Sequence, residues 1–234
     1  MNCASCAAEV GAADRFCAGC GAPLETGVNQ ETRKRVSVLF LDIVGSTALA
    51  EQLDPEPLRL IMDRYFAACA AAIADHGGAV EKFIGDAILA VFGAAAAHED
   101  DAARATRAAV SALGRLRELG AELGVRYGVN LEARCGICTG DVVVIMPPGG
   151  DFRVVGDAVN TASRLQTAAG PGEILLDADT ATMVRSAIGI EPIAPLTLKG
   201  KARAVAAWRV TDAAVAAENG HAPAHPFKIG RAHV

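Results

Sequence analysis

Two groups of residues in this 234-residue chain have the types and spacing to do chemistry. The first is Cys3-Ala-Ser-Cys6 and Cys17-Ala-Gly-Cys20, two C-x2-C knuckles ten residues apart, a format that offers four thiolates to one tetrahedral Zn2+. A unit of about 24 residues cannot build a self-sufficient apolar core, so a structural Zn2+ would have to supply most of its folding free energy. The second group is a pair of carboxylates. Asp42 closes an apolar run, and Asp86 follows Gly85 between two further runs. If those strands are neighbours, both acids stand at one sheet edge, where a separation of about 4 Å costs roughly 1 kcal/mol in water and several times that near a protein surface. Such a pair wants a cation between its members. Hard oxygen ligands with no Cys or His beside them select Mg2+ or Mn2+. Taken alone, each aspartate is an ordinary turn former or cap; the residues around them carry the functional reading.

The elements that must position these acids follow from periodicity. Residues 36–41 are, Ser37 apart, β-branched or large apolar, a buried strand that ends at Asp42. Apolar positions recur at helical spacing over 55–74, with Asp54 as N-cap before Pro55. Strands over 79–84 and 87–92 meet at Gly85-Asp86, which reads as a tight hairpin. An amphipathic helix over 100–119 precedes strands near 130–137, 141–145 and 152–155, and a helix over 157–168 follows. A strand over 173–176, a helix over 179–186 and strands near 196–198 and 205–210 complete the pattern. Mixed order with hairpins excludes an all-parallel doubly wound sheet. It predicts an α+β fold, a mostly antiparallel sheet flanked by helices and preceded by the small cysteine unit. Cys135 and Cys138 form a third C-x2-C, but residues three apart on a strand face opposite ways, so they read as core thiols.

Three segments carry a resemblance: Phe40-Leu-Asp-Ile-Val-Gly-Ser-Thr47, Glu81-Lys-Phe-Ile-Gly-Asp86 and Val155-Gly-Asp-Ala-Val-Asn-Thr-Ala-Ser-Arg164. In this order and spacing they resemble the catalytic domain of class III nucleotidyl cyclases, the adenylate and guanylate cyclase family, in a bacterial subgroup with an N-terminal zinc ribbon. The similarity covers residues 33–210. It implies a ferredoxin-like core and a reaction in which the substrate's own 3′-hydroxyl attacks its α-phosphate, expelling pyrophosphate. Nucleophile and electrophile share one molecule, so the protein mainly bends the nucleotide and stabilises charge. Asp42, Ile43 and Asp86 align with the family's ligands for two Mg2+ or Mn2+ ions, one activating the 3′-oxygen and one holding the triphosphate. Asn160 and Arg164, four apart on one helical face, align with the residues that position the ribose and stabilise charge on the α-phosphoryl group. Lys199, in Leu198-Lys-Gly-Lys201, matches a lysine that contacts the terminal phosphates, with Lys201 a substitute. No G-x4-G-K-[ST] loop is present there, which leaves the phosphates to metal and cationic side chains.

The resemblance also bears on base choice and assembly. Lys82 stands four residues before Asp86, where relatives that use ATP carry lysine and guanylate cyclases tend to carry glutamate. Its partner position, seven before Asn160, is usually Asp or Thr and here is Arg153. Arginine has no acceptor for the exocyclic amine of adenine. Either Arg153 points elsewhere, toward a phosphate or an anionic regulator, or adenine selection is relaxed; ATP remains the expected substrate. In the family the metal aspartates come from one subunit and the base-reading residues, asparagine and arginine from the other. Both sets occur here, which implies a homodimer with two equivalent sites and an inactive monomer.

Composition narrows the remaining options. The 52% apolar and 21% charged residues suit a packed core and exclude a disordered chain. A net charge of −5, 4% aromatics and an N-terminal unit whose one basic residue is Arg15 argue against nucleic-acid binding. The longest stretch without Asp, Glu, Lys or Arg is the dozen residues 87–98, too short to span a bilayer, and no signal peptide opens the chain, so a cytoplasmic protein with no membrane contact is expected. The chain divides into a zinc ribbon (1–24), a linker (25–32), a cyclase domain (33–211), a second linker (212–227) and residues 228–234. The last seven, Lys-Ile-Gly-Arg-Ala-His-Val, match a translated frame of a common short-read sequencing adapter, so the natural protein is expected to continue past Phe227. Similar zinc-ribbon cyclases continue into an ATPase and helical-repeat region. The leading reading is an adenylate cyclase that makes cyclic AMP; the alternative is a cyclase-like nucleotide sensor with little turnover.

Overall fold

The strand that carries residues 36–41, apolar but for Ser37, has both of its faces covered there. In the computed structural model, which describes residues 2, 3, 5–11, 14, 16–22, 30–147, 151–197 and 204–212, it is β1 (Gln30–Ile43), longer than its apolar run. Leu39, Leu41 and Ile43 point to one face, into a core shared with the helices α2 (Pro55–Asp75) and α3 (Asp101–Tyr127). Val36, Val38 and Phe40 point to the other, against Ala158 and Ala162 of α4 (Asp157–Ala168). The period of two therefore puts Asp42 on the α4 side of the sheet.

β1 lies between β3 (Ala87–Phe92) and β4 (Ala133–Met146), antiparallel to both. Outside β3 runs β2 (Ala79–Ile84), and Gly85 takes a φ of 63° in the turn that joins them, a left-handed conformation suited to glycine. β4 also pairs with the short β5 (Arg153–Val155) and, in the one parallel pairing among the described residues, with β6 (Ile174–Asp177). The helix α5 (Ala178–Val184) follows, its N-terminus capped by Asp177, whose Oδ1 accepts from Thr180 N at 3.1 Å. β7 (Gly189–Leu196) and β8 (Val205–Asp212) finish the sheet, whose order is β2-β3-β1-β4-β6-β8-β7. The expected α+β fold with a mostly antiparallel sheet is what forms.

Several local expectations change. The two strands near 130–137 and 141–145 are one, β4, because Thr139, Gly140 and Asp141 stay paired with Ser37, Val36 and Arg35. The helix over 100–119 runs on to Tyr127 and stops at Gly128 (φ 67°), whose N–H bonds Gly124 O at 2.9 Å. β7 starts seven residues before the expected 196, and it carries Pro192 and Pro195, which an edge strand tolerates. A short helix, α1 (Ser46–Gln52), follows β1 without any capping side chain to announce it. Asp54 stands at the N-cap of α2 but its side chain caps nothing. Cys135 and Cys138 are buried in opposite cores.

Glycine brings α4 down onto the sheet. A Cβ on Gly136 would lie 2.2 Å from Gln166 N and 2.3 Å from Ala162 O, so only a bare Cα lets β4 and α4 touch there. Gly136 is paired with Phe40, two residues before Asp42. This close approach of α4 to the sheet thus lies next to Asp42.

Candidate functional site

Asp42 and Asp86 reach the same sheet edge from different routes, one at the end of β1 and one in the β2–β3 turn. Tyr65, fully buried in α2, donates its hydroxyl to Asp86 O at 2.9 Å and so ties the turn to the core. Burial and the facing Asp86 carboxylate hold the Asp42 carboxyl above its usual range, against the pull of Arg134. The two oxygens of Asp42 have different surroundings. Oδ2 accepts from Gln166 Nε2 at 3.0 Å and from Arg134 at 3.3 Å. Oδ1 is buried and has no hydrogen-bond partner among the described residues.

A buried carboxylate oxygen without a donor, on an acid that also feels a second carboxylate, costs free energy unless a cation joins it. The donor set is all oxygen, with no Cys or His side chain in it, so it fits Mg2+ or Mn2+. Ile43 follows in β1 with its aliphatic side chain buried, which leaves its carbonyl as the group it has to offer.

Glu81 links β2, the strand of Lys82, to β5, the strand of Arg153. Glu81, whose side chain is 2% exposed, accepts from Val154 N at 3.4 Å and lies 3.6 Å from Lys82 Nζ. It occupies an irregularity in the pairing of β2 with β3, and its Oε2 is buried without a partner among the described residues. Arg153 is exposed on β5. Asn160 is exposed and Arg164 half-buried on the outer face of α4, opposite the Ala158, Thr161, Ala162 and Leu165 face that packs inward. Among the described residues neither side chain has a hydrogen bond or ion pair, to the aspartates or to anything else. Lys199 and Lys201 lie outside the described residues.

The N-terminal cysteines also converge. The Sγ atoms of Cys3, Cys6, Cys17 and Cys20 all lie within 4.8 Å of one another, with Cys3–Cys20 at 3.7 Å and Cys6–Cys17 at 3.5 Å. A tetrahedral Zn2+ with bonds of about 2.3 Å sets its sulfurs about 3.8 Å apart, so the four fit that ion. Ser5 N and Gly19 N each point at a sulfur, of Cys3 and Cys17, at 3.4 Å. The amides of Ser5 and Cys6 bring the Cys3 thiol down to about 6. The Ala8 amide pulls Cys6 the same way, but the thiols of Cys20 and Cys17 outweigh it and push Cys6 up to about 12.

Sequence reasoning missed Arg134, Gln166, Glu81 and Tyr65. Arg134 stands directly opposite Asp42 in the β1–β4 register, a relation visible only once the strands are paired. Gln166 sits two residues past Arg164 on the inward face of α4, and it is the one polar side chain of that face long enough to reach across.

This fold is that of the adenylate and guanylate cyclase catalytic domains. The chain belongs to the adenylate and guanylate cyclase catalytic domain family, whose sequence profile matches residues 28–211. The adenylyl cyclase CyaB from P. aeruginosa superposes with a TM-score of 0.74 at 29% identity, covering 79% of this chain and 97% of that one. The guanylyl cyclase Cya2 gives 0.69 at 32% identity, over 76% of this chain and 92% of its own. An adenylate cyclase from Anabaena cylindrica is 33% identical over 146 residues, 59% of this chain and 28% of that protein. The chain spans less than a third of the length of the curated relatives it matches. Cyclases of both bases are thus among its relatives. Among the described residues no helix is long and apolar enough to cross a membrane.

Proposed function

We propose that this chain is a metal-dependent adenylate cyclase converting ATP to 3′,5′-cyclic AMP and pyrophosphate, active as a homodimer. The observation that carries the reading is the Asp42–Asp86 pair with its unpartnered buried Oδ1. Asp42, Asp86 and the Ile43 carbonyl would hold two Mg2+ or Mn2+ ions, which supply activation of the ribose 3′-hydroxyl and neutralisation of the triphosphate. As the 3′-oxygen loses its proton and bonds to the α-phosphorus, the bond to the bridging oxygen of the β-phosphate breaks. Arg164 stabilises the charge that gathers on the α-phosphoryl oxygens. Asn160 orients the ribose, and Lys199 contacts the terminal phosphates. Removing a donor of the Arg164 kind typically costs about a hundred to a thousandfold in rate.

Asn160 is exposed and Arg164 half-buried on the outer face of α4, both without a partner among the described residues, which suits groups that serve the site of a second subunit. Apolar surface supports the same assembly: Phe83 and Ile84 of β2 and Val155 of β5 are 48%, 45% and 59% exposed. Lys82, steadied by Glu81, donates to adenine N1, and this supports ATP over GTP. The second reading, a nucleotide sensor with little turnover, rests on Arg153, which offers the base no acceptor. Cys3, Cys6, Cys17 and Cys20 would hold one structural Zn2+ in a ribbon that serves as a docking or regulatory module. The cytoplasm, where ATP is made available, is the compartment this reading requires.

The test is the full chain with Mn2+ and either ATP or GTP. Cyclic AMP and pyrophosphate released preferentially from ATP support the cyclase; equal silence from wild type and Asp42→Ala, with nucleotide still bound, supports the sensor. Zinc is tested apart from activity. Native mass spectrometry is expected to find one Zn2+ per chain, lost in Cys17→Ser.

A further inference from the structure

The site as proposed leaves Gln166 without a role, although it is 5% exposed and spends its amide on a metal-ligating residue rather than on its own helix. We propose that Gln166, with Arg134, is a positioning residue for the Asp42 carboxylate, fixing Oδ2 so that Oδ1 alone faces the cations. This inference rests on the cyclase reading of Asp42.

A carboxylate at the end of a strand can rotate about its last torsion and exchange its two oxygens. Here the exchange is opposed. Gln166 Nε2 at 3.0 Å and Arg134 at 3.3 Å come to the same oxygen from two elements, α4 and β4. Arg134 is itself anchored through a bond to Thr167 O at 3.1 Å, so the residue after Gln166 holds the second donor in place. The Gly136 contact locks α4 at that height above the sheet. Of the two donors Gln166 is the cleaner probe. It is neutral, so removing it takes away orientation without changing the charge that the cations meet. The same helix carries Asn160 and Arg164, and a shift of α4 would therefore move the metal carboxylate of its own subunit as well.

Groups that orient metal ligands typically cost about 10 to 100-fold in metal affinity when replaced. The experiment measures Mn2+ binding to the zinc-loaded full chain by the EPR signal of free Mn2+, with α,β-methylene-ATP present as a nucleotide that cannot cyclise. Gln166→Met keeps the length and volume and removes the donor; Gln166→Leu is the second variant. Both are expected to bind Mn2+ about tenfold more weakly than wild type, with unchanged metal-free melting, and saturating Mn2+ should restore most of the turnover. Mn2+ affinity equal to wild type in whichever variant melts normally overturns the inference while the cyclase reading stands. Wild-type Mn2+ binding that is indifferent to Asp42→Ala would overturn both.

Discussion

The two halves of the candidate site are built in opposite ways. At the β1 edge, Asp42 is enclosed, gripped at one oxygen by Gln166 and Arg134 and left bare at the other. On the outer face of α4, Asn160 is exposed and Arg164 half-buried, both with no partner among the described residues. The first half is costly to hold together without a cation and is kept in shape by the core of its own subunit. The second makes no bond to the described residues of its own chain, as expected under the proposal that it serves another subunit. The contrast teaches that charge pre-organisation and charge delivery need not be solved by the same stretch of chain.

The largest effect should come from the half that is held. Asp42→Ala is expected to reduce cyclisation at least a thousandfold, and Arg164→Ala a hundred to a thousandfold. Stability separates them further: Arg164→Ala should leave thermal melting within about half a kcal/mol of wild type, since no bond to another described residue is lost. A large destabilisation by Arg164→Ala would break the comparison.

Next is the contact on which both halves depend. Gly136→Ala puts a methyl within 2.3 Å of two backbone atoms of α4, and neither can move without lifting the helix. It is expected to destabilise by about 3 kcal/mol, roughly 6 to 12 °C in melting temperature for a domain of this size. An unchanged melting curve would show that α4 is not pinned there.

The smallest effect concerns pH in the metal-free protein. The Asp42 carboxyl is raised above its ordinary value of 3.8 by burial and by Asp86. As pH rises above 3.8, the unfolded chain releases this proton before the folded one does, so the group lowers stability until its folded value is passed; beyond that the cost is constant. Asp42→Asn should therefore be more stable than wild type at pH 7, by on the order of 1 kcal/mol, with the gap closing toward pH 4. Glu173 has the opposite sign, because Arg209 lowers its carboxyl and its contribution is lost as pH falls. Chemical denaturation at both pH values reads the difference directly.

What the sequence made legible follows the same division. Asp42 and Asp86 could be found because each is marked locally, one by an apolar run that stops and one by a glycine turn. The alternation along β1 even fixes which face Asp42 takes. The helix bearing Asn160 and Arg164 has the bounds its periodicity gives. Arg134 and Gln166 have no such mark, since their meaning depends on the β1–β4 register and on how deep Gly136 lets α4 sit. Glu81 reads as an ordinary strand residue until the irregular pairing of β2 turns it inward. Local pattern divides β4 into strands near 130–137 and 141–145, yet pairing along fourteen residues of β1 makes it one. Tertiary partners, not local preference, decide each of these.

The central claim is that one catalytic site is assembled from two subunits, and mixing two dead variants tests it. Asp42→Ala and Arg164→Ala are each expected to be inactive alone. Mixed in equal amounts and allowed to exchange subunits, they should recover about a quarter of wild-type cyclisation, because half of the dimers are mixed and each has one intact site of two. A mixture as silent as its parts, with subunit exchange verified by mass, would contradict the account.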